Sequence, residues 1–452
     1  MKNSPLRVLL FSHSATLTHG GGRSFSELLA ELCPQADIEV SVVVPECGPL
    51  EQSAKHLGAA VFNFSELVPN VEFSELWWCG SSLDASRRIW DGQRMIDCVG
   101  RLADAIGCTF DVVYSNTSVC PWGAFFAAKA GLPHVWHLRE LVDRDFGWMF
   151  YAGKQFTYAV VESLSEEVIV NSDFLAAAVA PYMPNCSVVP IPNGPLAEGW
   201  LEDPPSGVIV GDGPLKLALV GRMNPHKGQL DAVVALAHLR NRHIDCELHL
   251  FGEADREYER LLIRRSRRLG ISDAVKFRGI SDDPRSAFCE CHIALVCSHF
   301  EAFGRVTVEA MATARPIVAA DGGATGDLID NEETGLLYDV GDSVALADCV
   351  QRLSNDPELR SKLATKAREE ALGRYSRAKY GRSVEDVLRR AATNKARKTC
   401  AQVLGAHLDL VADWIYRSIE HQATIERMKV LERTWSEFFS KVAGRILRGI
   451  RP

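Results

Sequence analysis

Short apolar runs recur along most of the chain, each followed by a polar or glycine-rich turn and then by residues at helical spacing. Residues 7–11 form the first run. Gly20-Gly21-Gly22 follows, and then a helical stretch over residues 24–32. The β-branched residues at 39–44 predict the next strand. Val112-Val113-Tyr114 and His134-Val135-Trp136 predict two more, with the alanine-rich residues 124–130 as the helix between them. Val168-Ile169-Val170 leads into Asn171-Ser172-Asp173, which reads as a helix N-cap. Short buried strands alternating with helices imply parallel sheets covered on both faces.

Prolines and glycines crowd residues 190–214, a linker signal. The alternation then restarts, with strands expected at 217–220, 246–251, 275–277, 293–296 and 317–319, and helices at 228–239 and 257–269. The chain therefore divides into two α/β lobes about a hinge. From about residue 393 no strand signal remains and the sequence reads as continuous helix.

Composition excludes more than it selects. The 452 residues carry a formal net charge of −8, which gives no reason to expect a nucleic-acid partner. The 13 cysteines include no C-x-x-C pair, which suits reduced thiols in a cytoplasmic protein. The apolar run after Lys2 and Arg7 is too short for a signal peptide and reads as a buried strand. No stretch approaches the length of a spanning helix.

The segment with the most chemistry is Glu301-Ala-Phe303-Gly304-Arg305-Val-Thr-Val-Glu309. It follows one expected strand and enters a helix, with Glu301 in the loop and Glu309 in the first turns. Gly304 would let amides at the helix N-terminus approach an anion, and each carboxylate could accept hydrogen bonds from hydroxyls. Gly221-Arg222 and Lys227-Gly228 follow the first strand of the second lobe. There a guanidinium and an ammonium suit a pyrophosphate. His19-Gly20-Gly21-Gly22-Arg23 is a second glycine-rich anion nest, in the first lobe. Asp143-Arg-Asp145 has metal-binding spacing but no supporting context, so no metal site is expected.

Together these residues resemble the retaining GT-B glycosyltransferases of family 4, the glycosyl transferases group 1, over roughly residues 7–392. Gly252-Glu253, Phe277-Arg278-Gly279 and residues 332–337 carry the same likeness. So does Trp136-His137-Leu138-Arg139-Glu140, which resembles the family's first-lobe histidine segment. Two positions depart from it: Ala314 stands where that family usually has glycine, and the stretch from Gly322 to Asp327 has an extra residue and Asp in place of Glu.

The resemblance implies an α/β fold of two Rossmann-like domains facing across a cleft. Residues 1–195 would be the acceptor-side domain, 196–214 the hinge and 215–375 the nucleotide-sugar domain. Residues 376–392 would form a helix returning to the first domain, and 393–452 a helical tail. It implies retaining, metal-independent transfer from a nucleoside diphosphate sugar, which is a co-substrate; no cofactor is expected. The acceptor would be a glycan or a lipid-linked sugar, in cell-surface polysaccharide synthesis. Glu301 and His137 would face the donor sugar and Glu309 the ribose. Arg222 and Lys227 would hold the diphosphate, with Gly21, Gly22, Phe303, Gly304 and Arg305 also binding the donor. A sugar-nucleotide epimerase and a non-catalytic nucleotide-sugar-binding scaffold are the rival readings. Trp77, Trp78, Trp122 and Trp148 are candidate sugar-stacking platforms.

The tail has its own pattern. Leu404, Leu408, Val411 and Ile415, and later Met428, Leu431 and Trp435, form a heptad-like stripe suited to self-association over 404–435. Lys441, Arg445, Arg448 and Arg451 interleave with apolar residues, which suits 438–452 to docking on an anionic membrane face. The expected location is cytoplasmic, peripheral at the inner membrane face.

Overall fold

The structure is a computed structural model, which describes residues 4–69, 71, 78–79, 92–107, 109–145, 149–150, 154–200, 213–281 and 283–394. The expected tail segments 404–435 and 438–452, Trp77, Trp148 and most of the hinge lie outside these residues.

We number the strands of the two large sheets in chain order. The first sheet holds β1 (Leu6–Phe11), β2 (Ile38–Val44), β3 (Ala60–Asn63), β4 (Val112–Asn116), β5 (His134–Leu138), β6 (Glu167–Val170) and β7 (Ser187–Pro190). Its order is β3-β2-β1-β4-β5-β6-β7, all parallel. The second holds β8 (Leu215–Val220), β9 (Cys246–Phe251), β10 (Val275–Gly279), β11 (Ile293–Val296), β12 (Ile317–Ala320) and β13 (Leu336–Tyr338). Its order, β10-β9-β8-β11-β12-β13, repeats the same winding. Two doubly wound lobes, each with apolar cores on both sheet faces, are the GT-B arrangement expected from the sequence.

The strands form where β-branched and apolar residues run uninterrupted, because both faces of a parallel sheet are covered. In β2 six of seven side chains are buried, and in β4, β5, β11 and β12 all are. The helix expected at residues 24–32 begins earlier, at Gly20, and runs Gly20–Leu32. Its three glycines are therefore the first turn of a helix and not a loop preceding one. Glycine's low helix propensity hid this start. Trp122, a candidate sugar platform, is fully buried against Phe64, 4.8 Å between ring centroids, and belongs to the first lobe's core.

The chain crosses between lobes twice, and the crossings touch. Leu196 bridges to Ser376, with Arg377 N–H donating to the Leu196 carbonyl at 2.9 Å. Gly194 is needed here, since a Cβ would sit 2.7 Å from both the Ser376 carbonyl oxygen and Tyr380 Cβ. The second crossing opens the helix Arg377–Thr393, capped by Ser376 Oγ, which accepts the Lys379 N–H. This helix packs on the first lobe. Gly381 brings it against Glu31 of the helix Gly20–Leu32, and Tyr380, Val384, Val387, Leu388 and Ala391 enter that lobe's core. Among the described residues no helix is long and apolar enough to cross a membrane.

Candidate active site

In a doubly wound sheet, ligands collect outside the carboxyl ends of the strands at the point where strand order reverses. In the second lobe that point lies between β8 and β11. Gly221-Arg222 leaves β8, and the segment from Cys297 to Glu301 leaves β11. The backbone there is tightly specified. Gly252 has φ 140° and its Cβ position lies 2.1 Å from the Gly221 carbonyl oxygen, so the turns after β8 and β9 meet backbone to backbone. Gly228 has φ 65°, with its Cβ position 2.0 Å from the Cys297 carbonyl oxygen.

That close approach sets the short turn Pro225–Lys227 against the exit of β11, and Lys227 Nζ reaches Glu301 Oε1 at 2.5 Å. Arg222 is the more exposed cation, with Nε 4.0 Å from Glu253 Oε2. Glu301 lies in the loop, held by its own carbonyl, which accepts Ala324 N–H at 2.7 Å. Gly304 (φ 93°) turns the chain into the helix Arg305–Ala312, where Glu309 is buried. Burial pushes the Glu309 carboxyl above the ordinary range, opposed by the nearby charge of Arg305. Of the second lobe's expected site residues, Lys227 meets Glu301, Arg222 lies beside Glu253, and Glu309 lies beside Arg305. The Phe303 ring packs on Tyr375 inside the lobe, 6.0 Å between centroids, which leaves only its backbone for a ligand.

Arg305 points out of its own lobe. Its Nη atoms pair with both carboxylate oxygens of Glu27 at 2.7 and 2.8 Å, and Nη1 donates to Ser24 Oγ at 3.0 Å. Two further contacts join the lobes nearby. Ser172 Oγ donates to the Ala302 carbonyl at 2.6 Å, and Asp327 Oδ2 accepts Phe174 N–H at 2.7 Å. Asp327, the departure noted in the sequence, thus serves the lobe interface.

The first lobe's reversal point lies between β1 and β4. His13 follows β1, Asn116 ends β4, and the first turn of the glycine helix stands beside them. Asn116 Nδ2 donates to His13 Nδ1 at 3.1 Å and to the Gly21 carbonyl at 3.2 Å. Since that amide donates, His13 carries its proton on Nε2. Burial, then the charges of Arg139 and His19, lower its pKa to about 3, so the ring is neutral. A Cβ on Gly21 would lie 2.9 Å from the imidazole, and one on Gly22 would lie 2.3 Å from the Thr16 carbonyl oxygen. The glycines therefore let ring and loop close over the helix start. Next to them Thr117 holds φ 74°, an uncommon conformation for a β-branched residue and one that gathers at functional sites.

His137 is fully buried one layer below. Its Nδ1 meets Tyr114 Oη at 2.8 Å, its Nε2 has no partner among the described residues, and burial holds its pKa well below the ordinary value. Its carbonyl accepts Thr117 N–H at 2.8 Å, so it supports the strained residue from beneath. Arg139 beside it is buried among neutral partners: Asn116, Asn193, Tyr114 and Tyr380. The sequence reading missed His13 and Asn116 and gave Arg139 no role of its own. The signal of His13 and Asn116 was positional, at the ends of the two strands flanking the reversal of order. Asp143 of the metal-like D-x-D pairs with Lys154 at 2.6 Å.

These features describe a cleft between two doubly wound lobes, with cations and carboxylates on one wall and a glycine-started helix on the other. Residues 208–370, essentially the second lobe, match the family model described as Glycosyl transferases group 1. Over 159 residues the chain is 32% identical to the glycogen synthase of Mycobacterium tuberculosis, covering 35% of this chain and 38% of that protein. It is also 32% identical over 182 residues to the D-inositol 3-phosphate glycosyltransferase of Corynebacterium kroppenstedtii, covering 38% and 39%. The aligned part thus spans well under half the length of either relative. Among solved structures, Anabaena HepE in complex with UDP and glucose superposes with a TM-score of 0.68 at 21% identity, covering 85% of this chain and 99% of that one. The sucrose-phosphate synthase of Thermosynechococcus elongatus gives 0.64 at 19%, covering 85% and 98%. These two share the fold.

Proposed function

We propose that this protein transfers a sugar from a nucleoside diphosphate sugar to a glycan or lipid-linked acceptor, with retention of anomeric configuration, in cell-surface polysaccharide synthesis. The observation that carries the reading is that Arg222 and the Lys227–Glu301 pair stand at one strand-order reversal, while Arg305 of the same segment as Glu301 reaches the glycine helix that stands beside His13 at the other. Arg222 and Lys227 bind the diphosphate and stabilise the charge that develops as it leaves, work that elsewhere falls to a metal ion. Glu309 takes ribose hydroxyls and Glu301 hydroxyls of the donor sugar. The amides of Phe303, Gly304 and Arg305, and the helix start at Gly21 and Gly22, complete the phosphate site. His137 contributes through Thr117 and not by touching the sugar.

In the transfer, the acceptor oxygen bonds to the anomeric carbon on the face from which the phosphate oxygen departs. The acceptor's proton passes to that phosphate, so no protein nucleophile is required. The family match and the glycosyltransferase relatives support this reaction class over the epimerase and scaffold readings. Self-association through 404–435 and docking of 438–452 at the inner membrane face belong to the same proposal, on sequence pattern alone.

The test is a panel of nucleotide sugars, led by UDP-glucose because HepE was solved with UDP and glucose. Each is incubated with and without oligosaccharide or lipid-linked acceptors and with and without EDTA, and the product anomer is read by NMR. Transfer with retention that persists in EDTA is expected. Conversion of the donor sugar without acceptor would establish the epimerase instead. Binding of the panel without turnover under any acceptor would leave a scaffold.

A further inference from the structure

The segment bearing both glutamates also touches the first lobe. Phe300 meets Phe174 at 5.5 Å between centroids, Ala302 accepts from Ser172, and Arg305 reaches Glu27 and Ser24. The last contact is ionic and buried. Arg305 and Glu27 side chains are 14% and 16% exposed, and Arg305 Nη2 also lies 3.6 Å from Glu309 Oε1.

One guanidinium therefore serves two carboxylates from different lobes. Bidentate pairing fixes its plane, so Glu27 decides where the positive charge sits relative to Glu309. The arginine stem lies along the glycine helix, since a Cβ on Gly20 would be 3.5 Å from Arg305 Cδ. If the lobes part, Arg305 leaves Glu27 and Gly20 together and becomes free to turn onto Glu309. A buried pair of this kind contributes little net stability but is costly to break from one side, which suits it to registering a position.

We infer that Glu27 is a positioning residue for donor binding: it acts through Arg305, so that closing the cleft and freeing Glu309 for the nucleotide are one event. The inference rests on Glu309 being a nucleotide contact. Nothing in the sequence links residue 27 to residue 305. Ser24 and Glu27, three residues apart, share the face of the glycine helix that meets Arg305.

The test uses the full chain with Glu27→Gln, Arg305→Gln and the double variant, and with UDP as the probe. Calorimetry reads UDP affinity, and small-angle scattering without ligand reads how far the lobes are apart. Glu27→Gln is expected to weaken UDP binding about tenfold or more, to enlarge the radius of gyration, and to raise the donor KM more than it changes kcat. The double variant is expected to lose no more than the worse single one, because the two residues act as a unit. Additive losses, or wild-type affinity and scattering in Glu27→Gln, overturn the inference. Should Glu27→Gln fail to fold, Glu27→Asp keeps the charge but breaks the bidentate geometry; wild-type values there overturn it equally. If the wild type binds no UDP, the same variants are measured with ADP, GDP and dTDP. Binding of none of these refutes the nucleotide reading and the inference with it, whereas nucleotide binding with unchanged scattering in Glu27→Gln refutes the inference alone.

Discussion

Replacing Lys227 by methionine tests the phosphate assignment most directly. The lysine side chain is 29% exposed and is paired to Glu301 at 2.5 Å. Its loss removes one charge-assisted hydrogen bond to a diphosphate, worth about 1.5–3 kcal/mol. That corresponds to roughly 10- to 150-fold weaker UDP binding. The change also strips Glu301 of its counter-ion and leaves a bare carboxylate beside the phosphates. At about 5 Å and an effective dielectric of about 20, the repulsion is on the order of 3 kcal/mol before screening. The single variant should therefore fall at or beyond the weak end of the range. Lys227→Met/Glu301→Gln should recover part of the loss, about three- to tenfold. Uridine, which lacks phosphates, should bind every variant within about twofold of wild type. Calorimetry with both ligands measures this. Equal losses for UDP and uridine, or no recovery in the double variant, would refute the reasoning.

Three further outcomes follow from the structure. Because burial raises the Glu309 pKa, the folded state holds that proton more tightly than the unfolded one, so this group's effect on stability worsens as pH rises above the ordinary carboxylate range. Glu309→Gln should raise the melting temperature at pH 7.5, with the gain vanishing near pH 4, while donor binding is lost; a gain that grows toward acid would contradict this. Burial lowers His134 to about 3 and His137 well below its usual value, so the stability these rings hold above pH 6.5 is lost as pH falls toward 3. The unfolding free energy from urea titration should then fall by about 1.4 kcal/mol per pH unit per histidine, and His134→Gln should flatten that slope if it folds. Finally, Ala314, which replaces the glycine usual at that position, sits at φ 53° just beyond the helix Arg305–Ala312. Ala314→Gly should stabilise the chain by about 1 kcal/mol in denaturant titration, and a loss of stability would show the strain argument wrong.

The strand framework was legible because burial on both faces leaves apolar runs such as residues 42–44 and 293–296 with no polar alternation to confuse them. Ser172 was legible as a cap for the same local reason: its side chain does accept Leu175 N–H. The second lobe's charged residues could be found because they fall in short segments at strand ends. The first lobe hid more. The helix opens on three glycines, four residues before the start expected at residue 24. Trp122 looked like a binding aromatic because a sequence cannot say which face of a helix meets the core. His13, Asn116 and Arg139 meet only through strand order, and Glu27 meets Arg305 only across the cleft. Sequence spacing encodes neither.

The return of the helix Arg377–Thr393 to the first lobe has a consequence for how the protein is made. The first lobe's strands end at Pro190, yet one of its two cores is completed only by Tyr380, Val384, Val387, Leu388 and Ala391. About 200 residues must be synthesised in between, which at about 5–20 residues per second takes on the order of 10–40 s. During that interval the nascent first lobe displays an uncovered apolar face, while the second lobe, whose sheet is continuous in sequence, can fold to completion. Assembly therefore runs against chain order: the later lobe is finished first, and the earlier one is sealed by the last described helix to leave the ribosome.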